Sequence, residues 1–420
     1  MRPFAFALVW VLATSVLFAQ VEPDFPKKVA QAIDHGVEWL KAKQLKAGDD
    51  KGSWGSGDNP TYGGGGDAAD DRVGITALSL FTLLSCDVDP DDAVIRDGFA
   101  FLDKHLDTSW ATDQEHMDES RIQASTYECG ILLMLVEAHA TARGTKAMKA
   151  AKSDKRPPLA LTKGEKALVA GAVRWLRAMQ ARTGGWRYGE PIFEDPDGIH
   201  QDTSATQVAL LGLVSAARMG EKVPSEVFLK AAQWNLETQE KDGPAAKAVA
   251  PPGSEGKSVP IRDGDKSRGW GYCPGSGEEE ETRASGGMTA SGICSLILAK
   301  SQLARSPLLT KDLAARMDRG IFDGLAWLDA HWTVEENPGG ARSHYYYLYA
   351  LERVGVLGQI DLVGAHRWFI DGATHLLGAQ ADDGHWNSET EIEPADVIDT
   401  CFALLFLKKA TLPVGSVLSR

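Results

Sequence analysis

Two stretches two hundred residues apart carry Gln, Gly and Trp at one spacing: "QARTGGW", Gln180 to Trp186, and "QADDGHW", Gln380 to Trp386. Each closes an amphipathic helical pattern and leads, through a polar loop, into a more apolar one. That pairing of a first and a second helix recurs six times. The first helices fall at 32–44, 94–106, 169–180, 228–239, 321–332 and 368–380. The second fall at 72–84, 124–140, 204–217, 288–300, 344–355 and 399–409. A two-helix unit cannot bury its apolar face alone, so a sixfold repeat of such units dictates the architecture. Period-2 strand patterns are nearly absent. The expectation is an all-α fold, an (α/α)6 toroid or barrel of six helix pairs, with second helices as an inner ring and first helices outside them. Small residues recur in the second helices (Gly74, Ala77, Gly130, Ala209, Gly212, Gly292), as close helix packing requires.

The repeat also settles the domain count. A chain of 420 residues has the length of two or three average domains, but the period resumes in phase after every irregular stretch. The Gly-, Pro- and charge-rich segments 55–71, 141–158 and 242–269 therefore read as loop excursions from one toroid domain spanning residues 28–410. The acidic run from Gly277 to Thr282 reads as a solvated loop, and "DVDPDD", Asp87 to Asp92, as a polar turn with a helix N-cap. An EF-hand reading of the latter needs Gly at Asp92 and Glu at Gly98.

Within the motif each residue type has a physical task. Gly permits a tight turn after the first helix. Trp stacks back on its own repeat, and the Gln amide at the helix end bonds the loop backbone. Interrupted forms stand at Gln44, Gly52 and Trp54 and, across a long insertion, at Gln239, Gly269 and Trp270. Units two and five lack it. The four tryptophans are read as structural.

This spacing resembles the QW repeat of the squalene/terpenoid cyclase and protein prenyltransferase superfamily, across about residues 28 to 410. The resemblance implies the (α/α)6 toroid and an isoprenoid or other apolar ligand in a central cavity. Cyclases that protonate an alkene use the middle Asp of DxDD, and the nearest match is "DVIDT", Asp396 to Thr400, in which Ile398 replaces the proton donor. Asp399 and Thr400 then read as an N-cap of the last second helix. Prenyltransferases hold zinc with Asp, Cys and His. The matching types here are Asp399, Cys401 and His344, in reversed chain order and with Cys401 in an apolar run. Neither cofactor nor metal is specified by the residues.

The candidate catalytic residues are Asp202, in "HQDTSA", with His344, Asp396 and Asp399, all expected at the cavity mouth. In "HYYYLY", Tyr345 and Tyr349 share a helical face and offer an aromatic wall, with Tyr346 and Tyr347 pointing elsewhere. No nucleophile-elbow or phosphate-cradling pattern is present. Net charge of −14 without a basic stripe excludes nucleic acid. The alternatives to an apolar-ligand toroid are a non-catalytic binding or scaffold protein and a polysaccharide-active α/α-toroid enzyme.

The N-terminus has Arg2, an apolar run from Phe4 to Phe18 and small or polar residues at Ala19 and Gln20, the pattern of a signal peptide over residues 1–20. It implies an exported protein, periplasmic or extracellular, with membrane association only through that segment if uncleaved. Five scattered cysteines without a CxxC pair suggest buried thiols, with at most one disulfide.

Overall fold

The apolar stripes fold as the spacing predicts. In α1, Phe25–Lys43, residues Val29, Ala32, Gly36, Val37 and Leu40 are buried while the intervening lysines and acids face water. In α6, Thr203–Arg218, every residue from Thr203 to Ala216 is buried. A helix covered on all sides must lie inside a layer of others. The structure is a computed structural model describing residues 23–55, 72–106, 125–152, 159–188, 200–247, 261–340, 342–388 and 395–414. The leader and the loop 56–71 lie outside the described residues.

Among those residues the protein is all-helical, with isolated bridges and no strand. First helices are α1, α3 (Ala93–His105), α5 (Lys163–Ala178), α7 (Ser225–Thr238), α10 (Lys311–Ala330) and α12 (Trp368–Ala379). Second helices are α2 (Arg72–Ser85), α4 (Thr126–Ala150), α6, α9 (Gly286–Leu303), α11 (His344–Gly358) and α13 (Ala395–Lys408). The second helices pack on one another in chain order, and α13 packs on α2. Helix α1 packs on α12 and α13, so the first unit touches the last. The α4–α6 crossing is close because it is built on glycine: a Cβ on Gly212 would sit 2.7 Å from the Cα of Gly130.

Two segments read as loops are helical. Helix α4 continues to Ala150, since the Ala, Arg, Lys and Met residues of "TARGTKAMKAA" favour helix enough to carry it through Gly144 and two threonines; Arg143 clamps both Glu165 carboxylate oxygens at 2.7 and 2.9 Å. Part of the acidic run forms a single exposed turn, α8 (Glu279–Thr282).

The four Gln-Gly-Trp sets do one job in four places. The indole N–H of Trp54, Trp186, Trp270 and Trp386 donates to the carbonyl of Leu40, Leu176, Asn235 and Leu376, near the end of the preceding first helix, at 2.7 to 2.8 Å. All four rings are fully buried. Each Trp backbone N–H donates to a buried threonine on the following second helix: Thr76, Thr206, Thr289 or Thr400. The Gln amides reach further. Gln180 Nε2 donates to Gly184 O and to Val227 O on α7; Gln44 donates to Gly52 O and Val94 O on α3. Gln239 donates to Arg268 O and Gly320 O on α10. Gln380 donates to Gly384 O at 2.8 Å and to Ala32 O on α1 at 3.0 Å. Each motif therefore fastens its own unit to the next first helix. The glycine must let the chains meet: at Gly184, φ is 116°, and a Cβ would stand 2.2 Å from Lys230 O.

Candidate functional site

The Trp-loops place the starts of the second helices at one end of the molecule, and all four candidate residues lie there. Asp202 is the N-cap of α6. Its backbone N–H donates to Trp186 O, while Oδ1 accepts from Ala205 N at 2.6 Å and from Ser204 Oγ at 2.7 Å. The Tyr127 hydroxyl bonds Ser204 Oγ at 2.6 Å. The other carboxylate oxygen, Oδ2, is buried with no hydrogen-bond partner. Burial pushes this carboxyl up to about 6, against the hydrogen bonds and the nearby Arg187 charge that pull it down. Phenols surround it: Tyr127 stacks on Tyr188, and the Tyr188 and Tyr272 hydroxyls bond each other. The sequence signal for these partners was weak, since the tyrosines come from three separate units.

The other three residues have structural partners. Asp396 occupies in α13 the register that Asp202 occupies in α6, four residues before the Trp-binding threonine. It is partly exposed and faces Lys43 at 3.4 Å. Asp399 is not an N-cap, because α13 begins at Ala395 and places it in the second turn. Its Oδ2 instead accepts from the backbone and hydroxyl of Ser388 at 2.8 and 2.6 Å, holding the Trp386 loop. His344 donates from Nε2 to Val334 O at 2.9 Å and meets His375 edge-on at 5.0 Å, and burial lowers the pKa of both imidazoles. No hydrogen bond or ion pair joins any two of the four candidates among the described residues.

The zinc donor set does not fit. The Cys401 thiol is fully buried, lies 3.9 Å from Ser79 Oγ across on α2, and is pushed up to about 12 by burial. His344 Nε2 is engaged by the Val334 carbonyl. No group of three His, Cys, Asp or Glu among the described residues is arranged for a metal. All five cysteines are free thiols.

A cavity of about 520 Å³ lies at the opposite end, between the C-terminal halves of the second helices. Phe81 and Leu84 of α2, Met134 of α4, Leu211 and Val214 of α6, Leu298 of α9, and Tyr349 and Leu357 of α11 form its apolar wall. None of the four candidate residues lines it. The turn of Asp87 and Asp89 does, as a rim: Lys408 pairs with Asp87 and Lys146 with Asp89 and Asp91. As expected for the N-cap, Asp92 accepts from Val94 N.

The chain after α13 crosses this mouth as a strap. Arg218 Nη2 donates to Leu412 O at 2.8 Å and to Pro413 O at 3.2 Å. Thr411 donates its N–H and hydroxyl to the two oxygens of Glu352, at 3.1 and 2.6 Å. Burial pushes Glu352 up to about 7. A second buried carboxylate, Glu137, stands 3.7 Å from Arg218.

Between the two ends sits a polar cluster that sequence reasoning missed. Gln207 Oε1 accepts from Arg353 Nη1 at 2.6 Å and from the Tyr346 hydroxyl at 2.9 Å, and Tyr346 also bonds Ser291 Oγ. The Arg353 guanidinium lies 3.7 Å from the Tyr349 ring centre. Tyr345 and Tyr349 are both buried, and Tyr346 joins Tyr349 in contact with Phe402, as an i, i+3 pair does on a helix. Tyr345 turns toward His344.

No protein-family profile and no curated protein matches this chain. No helix among the described residues is long and apolar enough to cross a membrane.

Proposed function

We propose that this chain is an exported (α/α)6 toroid that holds an isoprenoid or other apolar ligand in the cavity between the C-terminal halves of its second helices. The cyclic order of second-helix contacts and the Gln380 bond from the last unit to the first support the toroid. One observation carries the function: about 520 Å³ of space walled by Phe81, Leu84, Met134, Leu211, Val214 and Leu298. That volume lies within the range of small-molecule sites. The reading is a cyclase/prenyltransferase-like binding protein without the cyclase acid, since Ile398 stands where a proton donor belongs.

The test is extraction. The mature protein, purified without detergent from cells that export it, is extracted with organic solvent and the extract analysed by mass spectrometry. A stoichiometric apolar compound is expected, and Val214→Trp, which fills the void, should remove it. Retention in the Val214→Trp protein would overturn the reading. Fractionation of cells expressing the chain with and without residues 1–20 tests export.

A second reading is favoured by Asp202. A buried carboxyl near pKa 6 with an open oxygen, set among tyrosines, suits a proton-transfer enzyme, including one acting on polysaccharide, working at the other end. Polysaccharide cleavage lost in Asp202→Asn would favour it over the cavity.

A further inference from the structure

We infer that the cavity takes a single-chain amphiphile tail first and keeps its anionic head, a carboxylate or a phosphate monoester, at the mouth beside Lys149. The inference rests on the cavity reading above and names the ligand class.

One face of α4 runs along the cavity. Met134, Ala138, Thr141, Thr145 and Lys149 all line it, at the three- and four-residue spacing of a single helical stripe. Over about 22 Å, at about 1.5 Å per residue, the stripe passes from a thioether through two hydroxyls to an ammonium. Exposure follows the same course: Met134 is buried, Thr141 and Thr145 are half-buried, and Lys149 is exposed. The cavity therefore opens at the lysine, and its apolar wall lies behind, among the buried Phe81, Leu211, Val214 and Leu298. A lining that is apolar inside and polar at its opening matches a molecule with the same two ends.

The charge at the opening selects the head. Five cations line the cavity, Lys146, Lys149, Arg218, Lys408 and Lys409, against three acids, Asp87, Asp89 and Glu137. On a chain of net charge −14 this is a local reversal of sign. Each acid is engaged: Lys408 pairs with Asp87 and Lys146 with Asp89, while Arg218 stands 3.7 Å from Glu137, whose ionised form burial disfavours. Lys409 rests over the Phe369 ring at 3.8 Å, in the field of Asp361 and Glu352. Lys149 is left with no acid within ion-pair distance among the described residues. An anion at this mouth meets the surplus of positive charge, and a cation is repelled by it. The Thr145 hydroxyl, one turn before Lys149 on the stripe, is a donor for the same anionic oxygens.

The experiment is calorimetric titration of the full mature chain, stripped of bound lipid, with decanoate, decyl phosphate, decan-1-ol and decylammonium. The better of the two anions is expected to bind at least about threefold more tightly than the alcohol, within the range of one exposed ion pair, and the ammonium more weakly than the alcohol. Which anion leads identifies the head. Lys149→Glu reverses an exposed charge without touching the core and should abolish the anion-to-alcohol preference. Lys241→Glu, the same reversal in an exposed stretch at the motif end, should preserve it. A preference unchanged in Lys149→Glu puts the head elsewhere and overturns the inference. An equal loss in Lys241→Glu means that only the net charge of the chain is acting, and overturns it too. Equal binding of anions and alcohol by the unaltered chain, or tighter binding of the ammonium, overturns the anionic head but leaves the apolar cavity standing. Binding of none of the four probes overturns both the inference and the cavity reading.

Discussion

Gln380→Ala removes the amide that joins the last unit to the first. It deletes two hydrogen bonds, to Gly384 O at 2.8 Å and Ala32 O at 3.0 Å. At about 0.5–1.5 kcal/mol net per bond the cost is about 1–3 kcal/mol. Unfolding entropy near 2.1 cal/mol/K per residue over roughly 380 residues amounts to about 0.8 kcal/mol/K, so the melting temperature should fall by about 1–4 °C. Gln180→Ala deletes an equivalent pair inside the array, to Gly184 O and Val227 O, and is the natural control. In a closed ring the two variants lose similar stability, measured by scanning calorimetry. Hydrogen exchange should also show faster opening of α1 in Gln380→Ala but not in Gln180→Ala. If Gln180→Ala shifts the transition as worked out and Gln380→Ala leaves it unchanged, the seam between α12 and α1 is not a joint and the ring argument fails.

Three further outcomes follow from the geometry. Gly184→Ala places a Cβ 2.2 Å from Lys230 O at a φ of 116° and should cost at least about 3 kcal/mol in urea unfolding; Gly378→Ala, in α12 with open space around it, should be neutral or gain up to about 1 kcal/mol. Asp202 titrates near 6, above its ordinary 3.8, so its contribution to stability is complete below about pH 4 and is lost as pH rises through 6, by about 2–3 kcal/mol. The Asp202→Asn protein should show a flatter stability profile between pH 4 and 6, and an unaltered profile would refute the burial argument. Thr411→Val deletes the hydroxyl that holds the strap to Glu352 and should speed release of a fluorescent apolar probe several-fold in stopped flow; an unchanged rate would mean that ligand passes elsewhere.

The six helix pairs were legible because one amphipathic period is interrupted by one motif, and periodicity survives divergence at any single position. The roles of Gln, Gly and Trp followed from their chemistry. Their threonine partners did not, because Thr76, Thr206, Thr289 and Thr400 stand 22, 20, 19 and 14 residues after their tryptophans, and no fixed spacing marks them. Asp202 was found as an isolated acid, but its burial depends on Tyr127, Tyr188 and Tyr272 from neighbouring units. A central cavity was expected from the ring of second helices, with Asp202, His344, Asp396 and Asp399 at its mouth. The cavity found lies at the other end, where Leu and Val of four second helices, α2, α6, α9 and α11, line it with Met134 of α4, and apolar residues that line a cavity read the same as those that fill one. Arg353 and Gln207 are 146 residues apart, and each alone looks like an ordinary helix residue.

The far acceptors of the four motif Gln amides, at Ala32, Val94, Val227 and Gly320, are all main-chain carbonyls. Every residue type supplies that carbonyl, so the facing helix can change its sequence without breaking the joint. Such a coupling is blind to its partner's identity. Units joined this way are free to drift apart or to acquire long insertions while the order in which their second helices pack persists.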